Sequence, residues 1–416
     1  MSTPVLPDLA TPEAAATLPE ILESVRASGG SAPASMGGAE TRLFVDDTDV
    51  RTILGDKRFL MNAANVEGGT NALSRAELLH HMGLEPEMIV HATQGILDQD
   101  GVDHVRLRKL VTRAFTARRV QAMRPNVQAI TDRLLAELPG HAENGSVDLL
   151  RHFAYPLPIQ VICDLVGVPE SERGPWQAWG HSLTSFDLGR PDLLNGALQG
   201  MAESSRKLIA AHRAREHGDL LDDLVRISDD DGDRLSENEL ITMIVTLVVA
   251  GHETTANLIG NGTHALLTHP DQLALLKGDP ELLPSAVHEL LRWCGPIFQT
   301  RMRYASEDME LTTGAVRRGE AVIAMVAGAN HDPRVHTDPA RLDLTRHQGK
   351  PGEAHVAFGH GLHYCLGAAL ARLEGQVAFG SLLSAFPDLA LDPARPAVRQ
   401  PNIAFNRFDD LYVRLG

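Results

Sequence analysis

The chain has 416 residues, 43% of them hydrophobic and 22% charged, which is enough apolar material for a large core and too much for a disordered chain. A formal net charge of −16 argues against nucleic acid or an anionic membrane as the main partner, because both are bound through clustered Lys and Arg. Three cysteines without paired spacing, Cys163, Cys294 and Cys365, exclude a disulfide framework, a zinc ribbon and covalent haem attachment, and point to a reducing cytoplasm.

From the N-terminus, "MSTPVLPDLATPEAAATLPE" lacks the basic start and apolar centre of a signal peptide, and no apolar run suggests a membrane span. The first hundred residues are the β-richer part, with a strand at "RLFVDD" and a loop-rich stretch over residues 62–87. Helical periodicity dominates from residue 104. The segment "HVRLRKLVTRAFTARR", 104–119, reads as one helical face carrying Arg106, Arg108, Lys109, Arg113, Arg118 and Arg119 without an acid. No linker separates domains, so one domain over 1–416 is expected.

The acidic loop "SDDDGDRLSENE" fails as a calcium loop, since Gly232 would put Ile227 at the first ligand position and Asn238 at the closing glutamate. It does supply a capping box, Ser236 with Glu239. A proline-free run to Pro270 follows, one helix of about 30 residues and roughly 45 Å. Its centre is Ala250, Gly251, His252, Glu253, Thr254 and Thr255. An acid and hydroxyls inside a buried helix are costly unless paired, wet or used, and Thr can bond the carbonyl one turn back. Both a functional notch and a capped structural kink satisfy that pattern.

Near the C-terminus, "FGHGLHYCLG" sets Cys365 between glycines and a helix ending before Pro387. Backbone N–H groups at a helix start favour thiolate over thiol, whereas Cys163 and Cys294 lie in apolar, helical surroundings and read as inert. Such a thiolate serves as nucleophile, redox thiol or metal ligand. No resolving cysteine is present, His363 leaves a nucleophile open, and ligation by a single cysteine fits haem iron.

The segment "FGHGLHYCLG" resembles the haem-binding signature of the bacterial soluble cytochrome P-450 monooxygenases, a haem-thiolate family. In chain order, "DHVRLRKLVTRAFT", "PLPIQVICDLVGVPE", "AGHETT", "ELLR", "RYASEDMEL" and "DPARLD" resemble further segments of that family. The resemblance implies a mainly α fold with small β-sheets, in which haem b (iron protoporphyrin IX) lies between a long central helix and a Cys-bearing loop. It implies Cys365 as the iron ligand, with Phe358 shielding the sulfur and Gly359, Gly367 and Ala250 against the cofactor. His104, Arg108, Arg303 and His363 are the implied propionate partners. Glu289, Arg292 and Arg341 would form a structural ion network, and Glu253 and Thr254 would deliver protons to bound dioxygen beside Ala250 and Gly251. His252 is expected to be a structural neighbour.

By the same resemblance the protein would be a monomer reduced by ferredoxin and an NAD(P)H-dependent ferredoxin reductase, with the basic segment as the docking face. Hydroxylation or epoxidation of a bulky, largely apolar substrate of the macrolide or polyketide type is implied. Thr246, Val249, Ala250, Ile297, Phe298, Gln299, Ala404 and Phe405 are the expected pocket residues. One departure is Gly101 and Val102, where bacterial members commonly carry two prolines. A peroxide-driven oxygenase is an alternative, against which the Glu253–Thr254 pair speaks, and a haem-dependent ligand sensor without turnover is another.

Overall fold

The computed structural model describes residues 6–185, 190–229, 235–349 and 352–416. The chain forms two compact units, one of residues 1–72, 131–154 and 255–416, the other of residues 73–130 and 155–254. Residues 230–234, the centre of the acidic loop tested for calcium, lie outside the described residues.

The first unit carries every named strand. Strands β1 (Ser31–Met36), β2 (Ala39–Phe44), β3 (Phe59–Leu60), β5 (Arg303–Ala305) and β8 (Ala321–Ala324) make one sheet in the order β1-β2-β8-β5-β3. The β1–β2 hairpin turns at Gly37 and Gly38, with φ of +61° and +79°, the double left-handed turn that matches strand twist and favours glycine. Strand β2 begins earlier than "RLFVDD" suggests and ends at Phe44, because Asp46 starts the next helix. Strand β4 (Val147–Asp148) joins β9 (Ala390–Leu391) and β10 (Tyr412–Arg414) in a second sheet, and β6 (Met309–Leu311) pairs with β7 (Gly314–Val316).

Beside these sheets, Leu258, Leu266, Leu290, Leu291 and Phe379 belong to one buried cluster that the helices Leu283–Cys294 and Ala368–Ala385 help to build. Gly262 is part of that packing. A Cβ there would stand 2.4 Å from Phe379 Cζ, so the bare backbone admits the ring.

Among the described residues, every named element lying wholly within the second unit is a helix. The stretch expected to be loop-rich holds the helix Arg75–His81 and the start of Pro86–Thr93. Ser74 and Glu77 form a reciprocal capping box, with Ser74 N–H donating to Glu77 Oε2 at 2.8 Å and Glu77 N–H to Ser74 Oγ at 3.3 Å. That start signal was present in the sequence and outweighs the neighbouring glycines. The basic segment is two helices rather than one, Gly101–Ala114 and Ala117–Ala122. The break falls at Thr116, whose hydroxyl accepts from Arg119 N–H at 3.2 Å. Gly101 opens the first of them at φ +54°, a conformation closed to proline, whose ring fixes φ near −65°.

The long helix runs Glu237–Thr268, 32 residues, and the border between the units falls after Thr254. Its capping box is formed, Ser236 N–H donating to Glu239 Oε2 at 2.8 Å and Glu239 N–H to Ser236 Oγ at 3.2 Å. By length and composition alone this helix, through one 18-residue window, is long and apolar enough to cross a bilayer. That window is 72% buried in the protein, so the apolar side chains fill a core. Ser236→Ala is expected to lower stability by about 1 kcal/mol, the typical cost of losing an N-cap hydroxyl, read as a lowered melting temperature.

Candidate active site

The loop before the helix Ala368–Ala385 presents Cys365. Its backbone N–H donates to Phe358 O at 2.8 Å, and Tyr364 N–H donates to Gly361 O at 3.1 Å, which closes the turn around the sulfur. Gly361 sits at φ +69°, and a Cβ on it would lie 2.5 Å from Gly55 Cα and 2.9 Å from Leu54 O. Backbone packed that closely admits only glycine. The helix cap is Gly367, so Cys365 stands just before the first turn rather than in it. A Cβ added at Gly367 would meet only Cys365 Sγ, at 3.9 Å, leaving the space before the sulfur clear.

Cys365 is partly exposed, whereas Cys163 and Cys294 are buried. Burial pushes both of those thiols up to about 12, which keeps them protonated and inert. Phe358 is buried beside the loop, with the Arg372 guanidinium 5.4 Å from its ring centroid. One accessible cysteine on a glycine-lined, half-open turn is a donor set that fits the single thiolate ligation of haem iron. His363 lies half-buried in the 3-10 turn Gly361–His363, with Gly359 at φ +75° nearby, and Arg303 is buried in β5.

Behind the loop, Glu289 and Arg292 are fully buried and paired through two hydrogen bonds of 2.8 Å. Arg292 also donates to the carbonyls of Asn330 and Pro339, both at 2.9 Å. The third member differs from the expected one. Arg341 contributes only its carbonyl, at 3.3 Å from Arg292 Nη2, and its residue is exposed. Arg346 fills the place, its Nε donating to Glu289 Oε1 at 3.0 Å, and His347 Nε2 lies 3.2 Å from Oε2. The chain turns between these arginines so that the later side chain points inward. Burial alone would raise the Glu289 pKa, but hydrogen bonds from Arg292 and His347 outweigh it and bring it down to about 2.

In the second unit, the long helix is buried around most of its middle yet opens along one stripe. Ala250 is exposed, and Thr246, Val249, Gly251 and Thr254 are half-exposed, while His252, Glu253 and Thr255 are buried. Thr254 Oγ1 donates to Ala250 O at 2.9 Å, the back-bond to the preceding turn. Gly251 has a different role from the ligand space expected of it: a Cβ would lie 2.9 Å from Ile162 Cγ1, so its bareness serves helix packing. His252 packs against Gly180, where a Cβ would approach its Cε1 to 2.5 Å, and burial lowers its pKa. Tyr155 Oη lies 3.2 Å from Glu253 Oε1. His104, buried, and Arg108, half-exposed, share one face of the helix Gly101–Ala114.

The expected pocket residues divide in the same way. In the first unit the fold joins Ile297 to Phe405 by a β-bridge and Phe298 N–H to Ala404 O at 2.9 Å. Gln299 Oε1 beside them is buried and without a hydrogen-bond partner among the described residues. In the second, Thr246, Val249 and Ala250 lie on the open stripe, and a Cβ at Gly95 would stand 3.2 Å from Thr246 Oγ1.

The basic segment is less uniformly free than its sequence suggests. Arg106 is paired with Glu239, and Arg119 with Asp223 at 2.6 Å, whereas Lys109, Arg113 and Arg118 are exposed. Sequence reasoning missed Arg346 and Tyr155. An arginine in "LTRH" was a weak signal for the first, and nothing local marked the second.

The cytochrome P-450 family model matches residues 192–277 and 279–401. The chain is 43% identical over 386 residues to Cytochrome P-450 107B1 of Saccharopolyspora erythraea, covering 92% of this chain and 91% of that protein. It is 42% identical over 317 residues to the 6-deoxyerythronolide B hydroxylase of the same organism, covering 76% of each. The solved structure of the Bacillus subtilis bacillaene polyketide synthase cytochrome P-450 PksS matches with a TM-score of 0.85 at 32% identity, covering 98% of this chain and 99% of that one. The chain therefore belongs to the cytochrome P-450 family, has its fold, and is a monooxygenase of the bacterial type whose cofactor is a haem iron.

Two outcomes follow. Arg346→Ala should cost about 1.5–3 kcal/mol, the range for a hydrogen bond to a charged group, and Arg341→Ala less than about 0.5 kcal/mol, as compared by thermal unfolding. Around the ion network, burial first and then neighbouring positive charge lower the pKa of His288 and of His336 from 6.5 to about 4. Between those values the unfolded chain takes up protons that the folded one refuses, so stability falls as pH drops from 6.5 towards 4. His288→Gln should make the melting temperature less dependent on pH across that window.

Proposed function

We propose that the protein, working as a cytoplasmic monomer with residues 1–416 as a single domain, inserts one oxygen atom of dioxygen into a bulky, largely apolar small molecule. Cys365 would hold the iron of haem b through its thiolate. His104, Arg108, Arg303 and His363 hold its propionates, since buried carboxylates need cationic or donor partners. Bound haem supplies the oxidising chemistry, and the protein supplies binding, orientation and proton flow. The observation that carries this reading is the contrast among the cysteines: one half-open sulfur faced by bare glycine, against two buried and inert ones.

Glu253 is the proton donor and Thr254 the hydroxyl that passes the proton on. Ala250, the exposed small residue one turn before Thr254, leaves room for dioxygen. An acid and an alcohol on adjacent residues are what a dioxygen-using enzyme needs and a peroxide-driven one does not, so the first reading is favoured. For the substrate, the small and apolar residues Val249, Ala250, Ile297, Phe298, Ala404 and Phe405, with Thr246 and Gln299 as the polar groups, suit a polyketide or macrolide scaffold. The relatives named for 6-deoxyerythronolide B hydroxylation and for bacillaene polyketide synthase support that class. Hydroxylation and epoxidation are both within its reach.

Electrons come from a ferredoxin and its NAD(P)H-dependent reductase. The docking face is the exposed set Lys109, Arg113 and Arg118, and complementary charge raises the rate of encounter. Arg106 is left out because Glu239 already neutralises it.

The deciding experiment is a carbon monoxide difference spectrum of the reduced, haem-loaded protein. The thiolate-type band is expected in the wild type and is lost in Cys365→Ala; its persistence in that variant would remove Cys365 from the iron. A spin-state screen of polyketide and macrolide ligands then identifies the substrate. Combined Lys109→Ala, Arg113→Ala and Arg118→Ala should slow reduction by ferredoxin and flatten its salt dependence, measured by stopped flow, without altering the difference spectrum.

A further inference from the structure

A carboxyl with no exposure is stable in a fold only with a partner, and an apolar side chain at the same position would pack at lower cost. Glu253 is such a carboxyl. His252 Nε2 lies 3.7 Å from Glu253 Oε2, beyond hydrogen-bond range. Tyr155 Oη, 98 residues away in sequence, donates to Oε1 in a long hydrogen bond of 3.2 Å.

Several features fix the tyrosine. It caps the helix Pro156–Val166, whose first residues include Pro156 and Pro158, and it follows directly on a wide π-helical turn at Leu150–Ala154. Such turns are rare and frequent at functional sites. The His181 ring stands edge-on to the tyrosine ring, with centroids 6.3 Å apart at 89°. His181 is exposed and Tyr155 half-buried, so the tyrosine spans the distance from a fully buried acid to water. A phenol hydroxyl donates one hydrogen bond and accepts others. It can face the carboxyl and solvent at once.

We propose that Tyr155 is a positioning residue that fixes the Glu253 carboxyl in one orientation and returns its proton. The inference rests on the reading of Glu253 as proton donor. Once Glu253 has given up its proton, the Tyr155 hydroxyl hydrogen moves to Oε1, and Oη takes a hydrogen from solvent on its other side. The net change is one proton drawn from water, with Tyr155 restored.

Tyr155→Phe keeps the ring and removes only the hydroxyl, and it is compared with Glu253→Gln in the haem-loaded enzyme. The infrared carboxyl band that disappears in Glu253→Gln is expected to shift in resting Tyr155→Phe, a direct reading of the lost hydrogen bond. Turnover should fall about 3- to 30-fold, the equivalent of one such bond. KM and the substrate-induced spin shift should stay as in wild type, and more NAD(P)H should be spent on hydrogen peroxide. An unmoved band with wild-type coupling in Tyr155→Phe, while Glu253→Gln uncouples, overturns the role of Tyr155 and leaves Glu253 standing. Wild-type coupling in Glu253→Gln overturns the reading of Glu253 itself.

Discussion

The buried pair of Glu289 and Arg292 is the constraint on which the sulfur-bearing loop rests. Two opposite charges with no exposure gain from each other only if their remaining hydrogen-bonding groups are also met, and removing one partner of such a pair costs about 3–5 kcal/mol. Here they are met by backbone and, on Glu289, also by the Arg346 and His347 side chains. Arg292 donates to Asn330 and Pro339 carbonyls, and Glu289 accepts from Asp343 N–H at 3.0 Å. The link continues forward, since Asn330 Oδ1 accepts from Val356 N–H at 2.8 Å. Val356 O in turn accepts from Gly359 N–H at 2.9 Å. The position of Cys365 thus traces back through a few short bonds to one ion pair three residues apart on a helix.

Around that pair the protein gathers histidines that stay neutral at ordinary pH. His288 Nδ1 lies 3.0 Å from His355 Nε2, and burial with neighbouring positive charge keeps both imidazoles uncharged. Neutral imidazoles give hydrogen bonds without adding charge to a site already holding two arginines. The same choice makes the region acid-sensitive, because the unfolded state gains by protonation what the native state cannot accept.

The long helix shows how one element serves two demands. Its apolar residues fill a core, and the polar group at its centre is retained at a cost that packing alone would not justify. Gly251 and Gly262 give up side chains so that Ile162 and Phe379 can approach, while Ala250 stays uncovered among half-exposed neighbours. Neither glycine is explained by helix propensity, which disfavours both. Tertiary packing overrules it at Gly251 and Gly262.

Features made by residues within four positions of each other were legible in the sequence. The capping box at Ser236, the Thr254 back-bond to Ala250 and the glycine turn before Cys365 are of that kind, because the covalent chain itself brings those groups together. The family motifs are local in the same sense, which is why the family and the fold class are readable from the order of residues alone. Tertiary structure alone decided that Arg346 rather than Arg341 meets Glu289, that Glu239 takes Arg106 from 133 residues away, and that Tyr155 reaches Glu253. A charged or polar side chain carries no mark of its distant partner. Which groups meet is set by how helices and turns pack, and that packing is settled by the whole buried surface at once.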